Sequence, residues 1–177
     1  SIALKGITEV IHLAGRSHVM DGRSKDQLAA YRRINVVGTL NLARQAVKAG
    51  VRRFVFVSSI KVNGETTQPD MPFTADDIPL PLGPYGVTKH EAEQGLQQIA
   101  AQTGLEVVII RPPLVYGPGV KANFAAMMRW VARGIPLPFG DIHNARSMVA
   151  LNNLVDLLVK CVKHPAAAGQ IFLVSDG

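Results

Sequence analysis

Phe54-Val-Phe-Val-Ser-Ser59 decides how this chain is read. Its apolar run is too short for a helix and suits a strand buried on both faces. Ser58 and Ser59 close that run with two hydroxyls at its carboxyl end. Working outward, Val10-Ile-His-Leu-Ala14 upstream and Leu105-Glu-Val-Val-Ile-Ile110 downstream read as strands of the same kind. Helical apolar patterns lie between them, one over residues 25–49 ended by Gly50 and one over residues 85–103 ended by Gly104. Further helices fit residues 123–133 and 152–163, before a last short strand at 170–174. This alternation predicts an α/β fold with a doubly wound parallel sheet covered by helices on both faces.

Composition bounds the function. With 177 residues and 47% hydrophobic content, the chain can bury one core. Cys161 has no second cysteine to pair with, and its apolar neighbours point to a reduced, buried thiol and a cytoplasmic protein. No apolar run approaches the roughly 20 residues of a membrane span, and the residues after Ser1 carry no signal-peptide pattern. The net charge of +6 is scattered from Arg16 to Lys163, with no basic run interleaved with aromatics, so nucleic acid is not the expected partner. Small anionic ligands such as phosphates suit scattered cations better. No His, Cys or Asp cluster has metal-ligand spacing, and His18 and His90 read as supporting or surface residues.

Two stretches interrupt the alternation. Residues 60–84 carry Pro69, Pro72, Pro79, Pro81 and Pro84 and are expected to form no regular element. A loop that long is uncommon unless functional, and it joins Ser59 to Tyr85, so it is expected to drape over a site. Arg111-Pro-Pro-Leu-Val-Tyr-Gly-Pro-Gly119 follows a strand directly, where ligands of open α/β sheets bind.

Tyr85-Gly-Val-Thr-Lys89 places a phenol and an ammonium four residues apart, on one helix face. The ammonium is expected to lower the pKa of a phenol that otherwise titrates near ~10. A serine hydroxyl from a strand end would complete a site that moves a proton on and off a carbinol oxygen. Hydride transfer to a nicotinamide cofactor needs that chemistry.

The blocks His12-Leu-Ala-Gly-Arg-Ser-His-Val19, Asn35-Val-Val-Gly-Thr-Leu-Asn-Leu42, Phe54-Val-Phe-Val-Ser-Ser59, Tyr85-Gly-Val-Thr-Lys89 and Arg111-Pro-Pro-Leu-Val-Tyr-Gly-Pro118 follow in order. Together they resemble the extended short-chain dehydrogenase/reductases, in particular the NAD-dependent epimerase/dehydratase group that acts on nucleotide sugars. The resemblance implies a Rossmann-like fold, with residues 1–120 as part of a dinucleotide-binding domain and residues 121–177 as a nucleotide-sugar-binding region returning a helix and strand to the main sheet.

It also implies roles. Tyr85 would be the acid/base on the substrate hydroxyl, Lys89 would hold the nicotinamide ribose, and Ser59 would hydrogen-bond the reacting oxygen. Ala14, Gly15, Ser17, Asn35, Ser58, Pro112 and Pro113 would line the cofactor, together with Tyr85 and Lys89. Asn123, Leu137, Phe139 and Arg146 would meet the nucleotide sugar, Arg146 by gripping its pyrophosphate with a planar fork. Each has a plainer reading: a surface tyrosine with a paired lysine, a capping serine, an exposed helix asparagine, a turn glycine, a helix-capping Asn123 and a solvated Arg146.

Departures narrow the activity. Sugar 4,6-dehydratases of this family follow the triad hydroxyl residue with an aspartate and a glutamate, whereas here Ile60 and Lys61 follow Ser59 and disfavour dehydration. Leu114 and Asn63 stand where many relatives carry asparagine and tyrosine. No Gly-x-x-Gly-x-x-Gly or Gly-x-Gly-x-x-Gly occurs. The chain therefore reads as the middle and later part of a longer enzyme, expected to bind NAD poorly by itself. Whether the cofactor is NAD or NADP is left open, because the residue reading the ribose 2′ position would lie in the segment with the glycine motif. A UDP-hexose 4-epimerase is the first expectation, a nucleotide-sugar 4-ketoreductase the second, and a catalytically silent NAD(P)-sensing relative the third. The full-length enzyme is expected to be a homodimer.

Overall fold

The computed structural model describes residues 2–17, 27–68, 70–119, 122–134 and 145–176. Its main sheet has four strands, β1 (Glu9–His12), β2 (Arg53–Val57), β3 (Glu106–Arg111) and β6 (Ile171–Leu173), in the order β1-β2-β3-β6. Every neighbouring pair is parallel, with Val10 opposite Phe54, Phe54 opposite Val107, and Ile109 opposite Ile171. Side chains alternate across such a sheet. Phe54, Phe56, Val107 and Ile109 face one core, and Val55, Val108 and Ile110 the other. Both faces of β2 and β3 are dry, so the alternation of apolar and polar residues seen in half-exposed strands is absent from them.

The first core is closed by α2 (Thr39–Lys48) and α3 (Gly83–Thr103), through Ala43, Ala46, Ala92, Leu96 and Ile99. The second is closed by α5 (Leu151–Lys163), through Leu154, Leu158 and Cys161. The architecture is the doubly wound, Rossmann-like sheet. α3 ends where Gly104 takes φ +74°, the left-handed cap that glycine adopts without strain. Cys161 is buried as expected, and burial pushes its thiol pKa up.

Several boundaries depart from the pattern. Leu13 and Ala14 leave the sheet after His12, because β1 pairs only as far as its register with Phe56. The helical run over 25–49 is described from Gln27 as α1 (Gln27–Arg32), a π-helical stretch (Arg33–Gly38) and then α2. Residues 60–84 are not wholly irregular: Ile60–Val62 form a 3₁₀ turn, and Gly83 and Pro84 already belong to the first turn of α3, where proline lacks only a donor the helix cannot use. Within residues 111–119, β4 (Leu114–Tyr116) pairs in parallel with β5 (Met148–Ala150), a second small sheet that period-2 patterning cannot reveal in three residues. α4 (Ala122–Ala132) precedes it.

Arg53 explains how α5 is docked. It is 1% exposed at the start of β2, and its Nη1 donates to the carbonyls of Cys161, Val162 and His164. These are acceptors at the end of α5 that have no partner within the helix. Glu106, on the neighbouring strand, takes the rest of the guanidinium at 2.6 and 2.8 Å.

Candidate active site

The site lies at the carboxyl ends of β1, β2 and β3. Beyond β2 the ladder continues as Ser58 N–H donating to the Ile110 carbonyl at 2.7 Å and Ile60 N–H to that of Pro112 at 3.0 Å. Ser59 is therefore held in extended backbone, and its Oγ accepts from the Lys61 N–H at 3.3 Å as the cap of the 3₁₀ turn. The capping role and a place in the site are compatible, because a hydroxyl oxygen can accept one bond while its proton points elsewhere.

α3 brings the other two residues. Tyr85 is half-buried in its first turn, and Lys89, one turn on, is 3% exposed. Lys89 Nζ donates to the Val57 carbonyl at 2.7 Å and stands 4.3 Å from the centre of the Phe56 ring. Burial lowers its pKa to about 8, with the Glu93 carboxylate acting against that shift. The Tyr85 phenol is pushed above its ordinary value, first by burial, while a hydrogen bond from Ser59 pulls it down and Tyr31 pushes it up. The expected depression of Tyr85 by Lys89 is thus not found: burial raises the phenol, and the ammonium donates to a strand-end carbonyl.

The segment after β1 is fixed by two side chains. Asn35, 1% exposed, accepts from the Arg16 N–H at 2.7 Å, donates to the Arg16 carbonyl at 3.1 Å and donates to Thr88 Oγ at 3.1 Å. Its full burial excludes the exposed-helix reading, and its place in the π-helical stretch accounts for its aim, since an extra residue in a turn rotates the side chains that follow. Tyr31 O–H donates to the Ser17 carbonyl at 3.2 Å, and the Arg16 guanidinium stands 5.5 Å from the Tyr31 ring centre.

Gly15 has no positive φ, so no turn requires a glycine there. A Cβ on Gly15 would instead stand 3.4 Å from Asn35 Oδ1 and 3.5 Å from Lys89 Nζ. The segment therefore runs directly past the lysine, with Ala14, Gly15 and Ser17 exposed beside it. His12 closes the floor, stacked on Phe56 at 5.8 Å with Nε2 2.9 Å from Thr39 Oγ. Burial and the Lys89 charge lower its pKa, so it is neutral at pH 7.

Ser58 Oγ is buried without a partner among the described residues, an unusual state for a hydroxyl that a ligand would relieve. Pro113 is half-buried, whereas Pro112 is fully buried and its carbonyl is used by Ile60.

The expected substrate residues are less gathered. Arg146 is exposed just before β5, with no partner among the described residues. Asn123 lies inside the first turn of α4, not at its cap, and its side chain is outside the described residues, as are Leu137 and Phe139. His18 is also outside them, while His90 is half-buried.

Sequence reasoning missed the buried charges under the site. Arg111 forks onto Glu93 at 2.6 and 3.1 Å, and both are 2% exposed. A glutamate four residues after Lys89 and an arginine closing an apolar strand were the available signals. Asp176 was missed too: it accepts from Tyr116 O–H, the Ala150 N–H and Asn153 Nδ2, tying β4 and β5 to the start of α5.

Comparison with known proteins places this geometry. The profile of the NAD dependent epimerase/dehydratase family matches residues 1–175. The chain is 56% identical over 177 residues to a UDP-glucose 4-epimerase of Vibrio cholerae, covering 99% of this chain and 54% of that protein. It is 34% identical over 178 residues to a GDP-6-deoxy-D-mannose reductase of Pseudomonas aeruginosa, covering 95% of this chain and 57% of that protein. The chain thus spans about half the length of the curated relatives it matches. The solved structure of MoeE5 in complex with UDP-glucose and NAD superposes with a TM-score of 0.82 at 33% identity, over 99% of this chain and 59% of that one. With that match over almost its entire length, and with Ser59, Tyr85 and Lys89 gathered at its strand ends, the chain belongs to the NAD dependent epimerase/dehydratase family.

Proposed function

We propose that the whole protein carrying this chain is a UDP-hexose 4-epimerase. The observation that carries the reading is the gathering, at the carboxyl end of β2, of Ser59 as the cap of its turn, Tyr85 in the first turn of α3 and the buried Lys89 ammonium one helical turn on. Tyr85 is the base that removes the proton from the 4-hydroxyl of the sugar and the acid that returns it. Ser59 donates to that oxygen and holds it in line. NAD, when bound, supplies the hydride acceptor, with Gly15, Ser58, Asn35 and Lys89 on its nicotinamide side. Lys89 would hold the cofactor's ribose, and its ammonium, released from the Val57 carbonyl, would lower the phenol's pKa. Arg146, exposed and unpartnered among the described residues, suits the pyrophosphate.

Dehydration is disfavoured by the residues after Ser59. Ile60 has no acid, and Lys61 points to the solvent side, paired with Glu65 at 3.0 Å. A nucleotide-sugar 4-ketoreductase is the second reading, supported by the similarity to the mannose-type reductase and by a neighbour, RMD of Pseudomonas aeruginosa, solved with NADPH at a TM-score of 0.80 and 28% identity. The two are separated by incubating the whole protein with UDP-glucose or UDP-N-acetylglucosamine and no added cofactor. Formation of the C4 epimer is expected; turnover only of a 4-keto sugar, and only with reduced cofactor, would establish the reductase instead.

A further inference from the structure

The turn that carries Ser59 is joined to the helix that carries Tyr85 through side chains with no part in the proposed reaction. Ser59 caps the 3₁₀ turn Ile60–Val62 at one end and Asn63 closes it at the other. Asn63 is 2% exposed and bonded in three directions. Its Nδ2 donates to the Thr74 carbonyl at 2.8 Å, inside the following loop. Its own carbonyl accepts from the Leu80 N–H at 3.3 Å, which closes the neck of that loop. Its Oδ1 accepts from Arg111 Nη1 at 3.0 Å, and Arg111 holds Glu93 on α3, two turns beyond Tyr85.

A continuous path therefore runs from the Ser59 turn through Asn63, Arg111 and Glu93 into α3. Its links are buried and two are made by a guanidinium, where hydrogen bonds are short, directional and hard to replace. The turn also comes close to the helix start at its backbone, where a Cβ on Gly86 would meet the Lys61 carbonyl oxygen at 2.7 Å. That contact sets a minimum separation but no register along the helix axis; the Asn63 path supplies it.

Resting on the reading of Ser59 and Tyr85 as partners in proton transfer, we propose that Asn63 is a positioning residue: through Arg111 and Glu93 it holds the Ser59 hydroxyl in register with the Tyr85 phenol. A displacement of about 1 Å in such a pair costs on the order of 10²-fold in rate.

The test uses the whole protein with two substitutions. Asn63→Ala removes the path at its first link. Arg111→Lys keeps a cation against Glu93, but one ammonium cannot serve both carboxylate oxygens and Asn63 with the geometry of a fork. Each is assayed alone and combined with Ser59→Ala. Each alone should lower kcat roughly 10–100-fold and change KM for the nucleotide sugar by less than about threefold. In the Ser59→Ala background the same change should lower kcat by less than about threefold, because no hydroxyl remains to be misplaced. Equal losses in both backgrounds, from variants that still unfold cooperatively, would overturn the proposal, as would an unchanged kcat in Asn63→Ala.

A second readout needs no substrate. The ionisation of Tyr85 is followed by NMR of ¹³Cζ-labelled tyrosine, its signal identified by its loss in Tyr85→Phe. Tyr31 is the titratable group that acts on that phenol, and Lys89, which acts on His12 and is acted on by Glu93, lies one turn along the helix; Asn63→Ala leaves all of them in place. The Tyr85 titration should move upward, toward that of Ser59→Ala; one that coincides with wild type contradicts the proposal. Absence of turnover in the wild type together with that upward movement would defeat the epimerase reading and leave the positioning role standing.

Discussion

At Lys89 an ammonium that water would solvate freely is enclosed by the Phe56 ring and a strand-end carbonyl. Its pKa falls from the ordinary 10.5 to about 8. The folded chain therefore binds this proton less well than the unfolded chain does, so the burial penalty is complete below pH 8 and fades as pH rises toward 10.5. Between those values the stability of the wild type should increase relative to Lys89→Met, measured by denaturant unfolding at several pH values without cofactor. A constant difference across that window would mean that Lys89 is not desolvated as described. If the charge serves the proposed reaction, Lys89→Met should also abolish turnover in the whole protein. Tyr85→Phe removes the proton carrier of the proposed reaction, and it should cut kcat by roughly 10²–10⁴ with little change in nucleotide-sugar binding. A near-normal rate in that variant would remove Tyr85 from the chemistry.

The elements were legible wherever burial imposed a period. β2, β3, α3 and α5 follow from short apolar runs and helical spacing, because the two strands face both cores and each helix closes one of them. The π-helical stretch, the 3₁₀ turn and the β4–β5 pair were not legible, since each spans three to six residues and is held by contacts from elsewhere in the chain. Gly86 shows the difference. In the sequence it is a helix glycine, and alanine there should add about 1 kcal/mol of helix propensity. In the structure the alanine Cβ would come 2.7 Å from the backbone oxygen of Lys61, which has nowhere to go without moving the Ser59 turn. Gly86→Ala should therefore destabilise by about 1–3 kcal/mol, the range for overpacking, and lower kcat. Gly95→Ala is the control: the nearest atoms to its Cβ all belong to the side chain of Leu40, whose end can rotate, so stability should fall less than in Gly86→Ala and kcat should not change.

At the scale of the molecule, the helices of one face and α5 on the other hold four parallel strands so that their carboxyl ends converge on one site. That site contains the segments expected on the nicotinamide side of a dinucleotide, and the chain contains no glycine-rich phosphate-binding turn. The 177-residue chain alone should accordingly bind NAD weakly; tight binding in a calorimetric titration would show that its own segments suffice. Among the described residues no helix is long and apolar enough to cross a membrane. The sequence by itself determined the α/β class and the family, and it offered Ser59, Tyr85 and Lys89 as candidates, because periodicity and motif spacing are local properties of the chain. Only the tertiary structure decided that Lys89 rests on Val57, that Asn35 pins the Gly15 segment, and that Asn63, Arg111 and Glu93 join the serine's turn to the tyrosine's helix. Those partners are 18 to 48 residues apart, and burial away from water, which makes their bonds strong, exists only once the sheet and helices have closed around them.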